Sequence, residues 1–126
     1  MEHTVHMHPE QALERLRDAI GSHDVEQVIA CFSPEFRGEH PAHPERNISG
    51  HDQIRTNWGG IFRAIPDIRA SILNMATVDS VVLVEWRWSG RQLDGTPFSV
   101  GGVTVQEVSR GLIAWTRLYM EPIPTA

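Results

Sequence analysis

The sequence contains no lysine; its 11 basic residues are all arginine. Schiff-base chemistry through a lysine amine is thereby excluded, and the bias toward arginine is read as the codon signature of a GC-rich bacterial genome. Cysteine is almost as scarce. The single Cys31 cannot close an internal disulfide, and beside Val28, Ile29 and Phe32 it reads as a small buried residue rather than a nucleophile. There is no basic run, and 16 acidic against 11 basic residues give a net charge of −5, which argues against nucleic acid and anionic membrane as partners. No stretch of roughly 18 apolar residues occurs, and no charged-then-apolar leader stands before the first helical pattern, so the expectation is a cytoplasmic protein. At 126 residues the chain suits one domain with a core around a cavity and is too short for two.

What is present is a clear order of elements. Residues 1–8 lack an apolar period and are expected to fray; His3, His6 and His8 there offer no preformed metal geometry. From Pro9, the spacing of Ala12, Leu13, Leu16, Ala19 and Ile20 predicts a first helix ended by Gly21. Asp24 caps a second, carrying Val25, Val28, Ile29 and Phe32 and closed by Ser33–Pro34. Phe36–Glu39 reads as a short strand. The two prolines of His40–Pro41–Ala42–His43–Pro44–Glu45 require a loop. A third helix opens at Ser49–Gly50 with Ile54, Trp58, Ile61, Phe62 and Ile65 on one face, and Gly59–Gly60 within it suggests close packing that compensates their poor helix propensity. Four strands follow, Ile68–Thr77, Val81–Ser89, Phe98–Val108 and Leu112–Glu121, separated by turn sequences that make an antiparallel meander. The order α-α-β-α-β-β-β-β is an α+β pattern, three N-terminal helices packed on a strongly curved, mostly antiparallel sheet. Residues 9–126 are one domain.

The last strand carries the most chemistry. A period of two puts Trp115, Arg117, Tyr119 and Glu121 on one face and Thr116, Leu118 and Met120 on the other. A cation, a phenol and a carboxylate beside a Trp are the groups a half-polar pocket needs, so the first face is expected to line it. On Val81–Ser89 the same alternation separates Glu85 and Arg87 from Trp86 and Trp88. Parity leaves open which pair faces inward; the aromatic pair is the commoner choice for a buried sheet face.

The order of elements, with the phrases Asp24-Val-Glu-Gln-Val-Ile-Ala-Cys-Phe32, His40-Pro41 leading to Ser49-Gly50, Gly102-Val-Thr-Val105 and Ile113 to Glu121, resembles the nuclear-transport-factor-2-like superfamily, in its ketosteroid isomerase and SnoaL-like polyketide cyclase branch. The resemblance covers nearly the whole chain and implies a cone-shaped α+β barrel and, commonly, a homodimer through the sheet face. It implies that His40 stands where the isomerases have a general-base Asp before Pro. The oxyanion Tyr and the protonated Asp of those isomerases correspond to Leu16 and Thr104, so both strong donors are missing, and each is worth about 3 kcal/mol or more of transition-state stabilisation. Steroid isomerisation is therefore not expected. Tyr119 matches a pocket aromatic, and Glu121 matches the acid/base carboxylate of the cyclases. Glu85, Arg87 and Glu121 are similar in composition, though not in order, to the Asp–Arg–Asp set of limonene-type epoxide hydrolases.

The resulting expectation is a cofactor-free acid/base enzyme acting on a small hydrophobic carbonyl, enol or epoxide compound, a cyclase or isomerase. Glu121 would move the proton, Tyr119 would donate to developing oxygen charge, Arg117 would tune Glu121, and His40 would be the second acid/base group. Trp58, Phe62, Trp86, Trp88, Thr104 and Leu16 would contact the substrate. The alternatives are a binding protein that holds a hydrophobic ligand in the same cavity without turning it over, an epoxide hydrolase, and an assembly module whose exposed sheet face makes a homodimer. His40, His43 and His51 match no metal-ligand spacing, so no metal is expected.

Overall fold

The computed structural model describes residues 8–124. The tail expected over residues 1–8, with His3 and His6, lies outside them except for His8, which precedes the first helix. Helix α1 (Pro9–Ser22) buries Ala12, Leu13, Leu16, Ala19 and Ile20, the apolar stripe of the sequence. It runs past Gly21 and stops where His23 turns left-handed, at φ 59°. The imidazole fixes that turn, because His23 Nε2–H donates to the Ile68 carbonyl at 2.7 Å. Asp24 caps α2 (Val25–Ile29), accepting from the Glu26 amide at 2.9 Å.

Strand β1 (Phe32–Glu39) starts four residues before the expected Phe36. Pro34 does not prevent it, because the pairing of β1 with the last strand shifts register between Phe32 and Arg37, and a proline is tolerated at such an irregularity. A 3₁₀ turn (Pro44–Arg46) and the two-residue strand β2 (Ile48–Ser49) follow, both too short to announce themselves by periodicity. Helix α3 (Gly50–Ala64) then buries Ile54 and Trp58. Its Gly59–Gly60 pair is not explained by close packing. A Cβ at Gly60 would meet nothing nearer than the mobile end of Arg63 at 4.0 Å, and one at Gly59 would meet it at 3.5 Å. Gly60→Ala is therefore expected to stabilise the protein by about 1 kcal/mol, through helix propensity and a less flexible unfolded chain, read as a higher midpoint in urea unfolding.

The meander is β3 (Arg69–Val78), β4 (Val81–Arg91), β5 (Pro97–Ser109) and β6 (Leu112–Pro122). With β1 and β2 it forms one six-stranded sheet in the order β2-β1-β6-β5-β4-β3. The sheet is mixed, since β1 runs parallel to β6 while every other pair is antiparallel. It curls around the helices without closing: β2 and β3 remain edges, so the cone is an open one and not a complete barrel. Helix α1 packs on β3 and α3 on β1. Between helices and sheet the core runs from Leu13 and Ile20 through Val82, Val84 and Trp86 to Ile113 and Met120. Cys31 is buried there, and burial pushes its thiol pKa up. Among the described residues no helix is long and apolar enough to cross a membrane.

Candidate functional site

The inward face of the sheet is fixed by register. Val84 pairs with Thr104 and Thr104 with Leu118, while Val82 pairs with Gln106 and Gln106 with Thr116. Residues directly opposite in an antiparallel ladder share a face, so Val82, Val84, Trp86, Thr104, Gln106, Thr116 and Leu118 look the same way. That way is inward, because Val82, Val84 and Trp86 are at most 1% exposed. Between this face and the helices lies a cavity of about 440 Å³.

Its walls are apolar and aromatic. Trp58 from α3 meets Trp88 with ring centroids 5.4 Å apart, and Trp88 meets Trp86 at 6.0 Å. Leu16 comes from α1, and Phe32 and Phe36 from β1. Phe62 does not reach the cavity; it supports Trp58 from behind, at 5.7 Å. The deep polar groups are uncharged: Thr104, Gln106 and Thr116. Trp86 Nε1–H donates to Thr104 Oγ1 at 2.8 Å, which leaves the threonine proton free to donate elsewhere. Thr104→Val would strand that indole N–H in the core. The expected cost is about 1–3 kcal/mol, measured by urea unfolding.

The mouth is polar and comes from the loop after β1, with His40, Glu45, Arg46 and Asn47 on one side and Asn57 of α3 on the other. The His40 backbone is held at both ends. Its amide donates to Asn47 Oδ1 at 2.7 Å, and its carbonyl accepts from the His43 amide at 2.8 Å. Burial holds the His40 imidazole below its ordinary pKa of 6.5, and the charges of Arg46 and His43 push the same way, against the smaller opposing pull of Glu45 and Glu121. Burial thus favours the neutral ring over the imidazolium, and the neutral ring is the state in which a nitrogen lone pair can accept a proton.

The other three residues expected to do chemistry stand elsewhere. Arg117, Tyr119 and Glu121 alternate with the inward Thr116, Leu118 and Met120, so they project from the outer face of the sheet, and Tyr119 is 48% exposed. The expected face of β6 was the wrong one, because alternation separates two faces without saying which is covered by the helices. Arg117 does not pair with Glu121. It lies 3.5 Å from Glu39 Oε1 and over the Trp115 ring at 5.1 Å. Glu121 instead accepts from His43 Nε2–H at 2.7 Å, tying the mouth loop to the end of β6. Glu85 and Arg87 also face outward, with Glu85 accepting from Asn74 Nδ2 at 2.7 Å. The loop histidines diverge: His51 Nε2–H donates to the Phe32 carbonyl at 2.9 Å, while His43 holds Glu121. Among the described residues no three His, Cys, Asp or Glu side chains gather as a metal set.

Gln106, Thr116, Asn47 and Asn57 were not foreseen. For Gln106 a signal existed, since it alternates with Val103 and Val105 in step with Thr104 and shares its face.

Three helices on a curled six-stranded sheet, with the cavity between them, define the nuclear-transport-factor-2-like fold. Residues 13–116 match the model of the SnoaL-like domain, and the chain belongs to that family. Among solved structures it is similar to a candidate polyketide cyclase from Streptomyces antibioticus, with TM-score 0.77, 16% identity and 92% of each chain covered. A Catenulispora acidiphila protein with a ketosteroid isomerase-like fold gives TM-score 0.76 at 16% identity, over 85% of this chain and 82% of that one. An NTF2-like protein of unknown function from Exiguobacterium gives 0.71 at 20% identity, over 90% and 99%. At such identities the likeness establishes the fold. No curated protein matches the sequence.

Proposed function

We propose that the protein is a cofactor-free acid/base enzyme that moves a proton on a small hydrophobic carbonyl or enol compound, as an isomerase or cyclase. The observation that carries this reading is the place of His40, an imidazole whose charged form burial disfavours, at the rim of a largely apolar, aromatic-walled cavity. His40 takes a proton from the carbon next to the substrate carbonyl. The C–H electron pair becomes the C=C bond of an enolate, held toward the mouth against the imidazolium just formed on His40. The imidazolium then returns its proton at another carbon, which is isomerisation. Alternatively, the enolate carbon attacks a second carbonyl of the substrate and the proton goes to the new alkoxide, which is cyclisation. Epoxide opening is not favoured, since Glu85 and Arg87 face away from the cavity.

The test uses 2-tetralone in D₂O, with exchange of its α-protons followed by NMR. The protein should accelerate exchange beyond the buffer rate. Saturable binding without acceleration would move the assignment to a binding protein.

The outer face has a different proposed role, as the contact with a second copy of the chain. Leu83, Val103 and Tyr119 are exposed there, and Glu85, Arg87, Arg117 and Glu121 on the same face supply both signs of charge for self-complementary pairing. Sedimentation at the dimer mass is expected; a monomer at 100 μM would exclude it.

A further inference from the structure

We infer that the deep end of the cavity is built for an uncharged ligand group that both donates and accepts a hydrogen bond, a hydroxyl or enol carried on an apolar ring system. The inference rests on the reading of the cavity as a substrate site and names what that substrate carries.

Gln106 is the first element. It is 1% exposed, and its Nε2 donates to the Val82 carbonyl at 2.8 Å and to the Thr104 carbonyl at 3.3 Å. Both partners accept only, so the amide cannot be turned over and its Oε1 is the atom left for the cavity. Among the described residues the one buried side-chain polar atom without a partner is Trp88 Nε1. Gln106 Oε1 is thus neither bonded within the fold nor sealed in it: it is an acceptor open to a ligand. Thr104 is the complement. Its oxygen is engaged by Trp86 Nε1–H, which orients the threonine O–H as a donor. Thr116, paired in register with Gln106 and 6% exposed, adds a second hydroxyl on the same face.

Charge excludes other ligands. The buried polar side chains are Thr104, Gln106 and Thr116, none of them ionisable in the working range, and Glu45 and Arg46 stand at the exposed mouth. A carboxylate or ammonium at the deep end would lose its hydration with no counter-charge in reach. An ether or a bare hydrocarbon would displace water from Gln106 Oε1 and give it no donor in return. A hydroxyl or enol satisfies both Gln106 and Thr104.

Three matched probes test this at pH 7: 2-naphthol, 2-methoxynaphthalene and 2-naphthoate, titrated against the Trp indole N–H signals. The naphthol should bind about tenfold more tightly than its methyl ether, and the naphthoate more weakly than either. Gln106→Met should erase the preference. Thr116→Val, which leaves the backbone bonds of Gln106 intact, should reduce it, and decides the matter if the methionine variant does not fold. Equal affinity for naphthol and ether, naphthoate binding as tight as naphthol, or a preference untouched by both variants overturns the inference and leaves the proton-transfer reading standing. Failure of all three probes to bind at millimolar concentration overturns both. An intact naphthol preference in a protein that exchanges no 2-tetralone protons removes the enzyme reading alone.

Discussion

Gly102→Ala should cost the protein about 3 kcal/mol or more, enough to unfold much of the population. Gly102 stands opposite Met120 in the antiparallel β5–β6 ladder, with φ at 150°, a value L side chains rarely adopt. A Cβ there would run into the Tyr119 carbonyl oxygen and lie 2.9 Å from Met120 Cα. Both are backbone atoms, so no rotamer change relieves the clash; the strands must separate. Separation would break the register that places Thr104 and Gln106 against Leu118 and Thr116. Urea unfolding followed by Trp fluorescence checks this, with Gly60→Ala as a glycine whose replacement meets no backbone. A Gly102→Ala protein within about 0.5 kcal/mol of wild type would mean that β5 and β6 are not paired this way.

His40→Gln should reduce α-proton exchange by roughly 10²–10⁴-fold, the usual contribution of a positioned general base. Glutamine approximates the polarity and reach of the imidazole but cannot take a proton, so binding of the apolar ring to the Trp58, Trp86 and Trp88 walls should persist. The expected signature is a fall in kcat with KM nearly unchanged. The pH dependence has a defined sign. Because burial lowers the His40 pKa below 6.5 in the folded protein, the unfolded chain holds more protons at that site between the two values. Stability from His40 is therefore full above pH 6.5 and is lost as the pH falls through the lower, folded-state value. The same titration should appear as the acid limb of the exchange rate, absent in His40→Gln.

The sequence made the fold readable because several levels agreed. The stripe from Ala12 to Ile20 matches one helix face, and the turns at Asp79, Asp94–Gly95 and Arg110–Gly111 separate runs that alternate as strands. Asp79, Gly95, Arg110 and Gly111 all have positive φ, the conformation such turns require. The boundaries that were missed, the start of β1 and the whole of β2, depend on pairing with distant segments: Phe32 on Ile113 and Ile48 on Gly38.

The site was readable only in part, for a related reason. Trp86, Trp88, Thr104, Leu16 and His40 line the cavity, positions indicated by aromatic preference or by family resemblance. Tyr119, Arg117 and Glu121 do not, because a strand face rich in ionisable groups need not be the face the helices cover. Here the face turned to the helices is Thr116, Leu118 and Met120, and its chemistry is a hydroxyl. Which side of a strand is covered is set by the register with β5, a contact between residues far apart in the chain. Glu121 still bears on the site, at one remove, through His43 and through its charge on His40.

The most direct test of the account is an NMR titration of the His40 imidazole in the wild-type protein, in Glu121→Gln and in Arg46→Gln. The midpoint should lie below 6.5 in the wild type. It should move further down when the Glu121 charge is removed and up when the Arg46 charge is removed, and it should shift when 2-tetralone enters the cavity. A midpoint at or above 6.5 that responds to neither variant nor to 2-tetralone would place His40 in solvent, and the proposed general base would be gone.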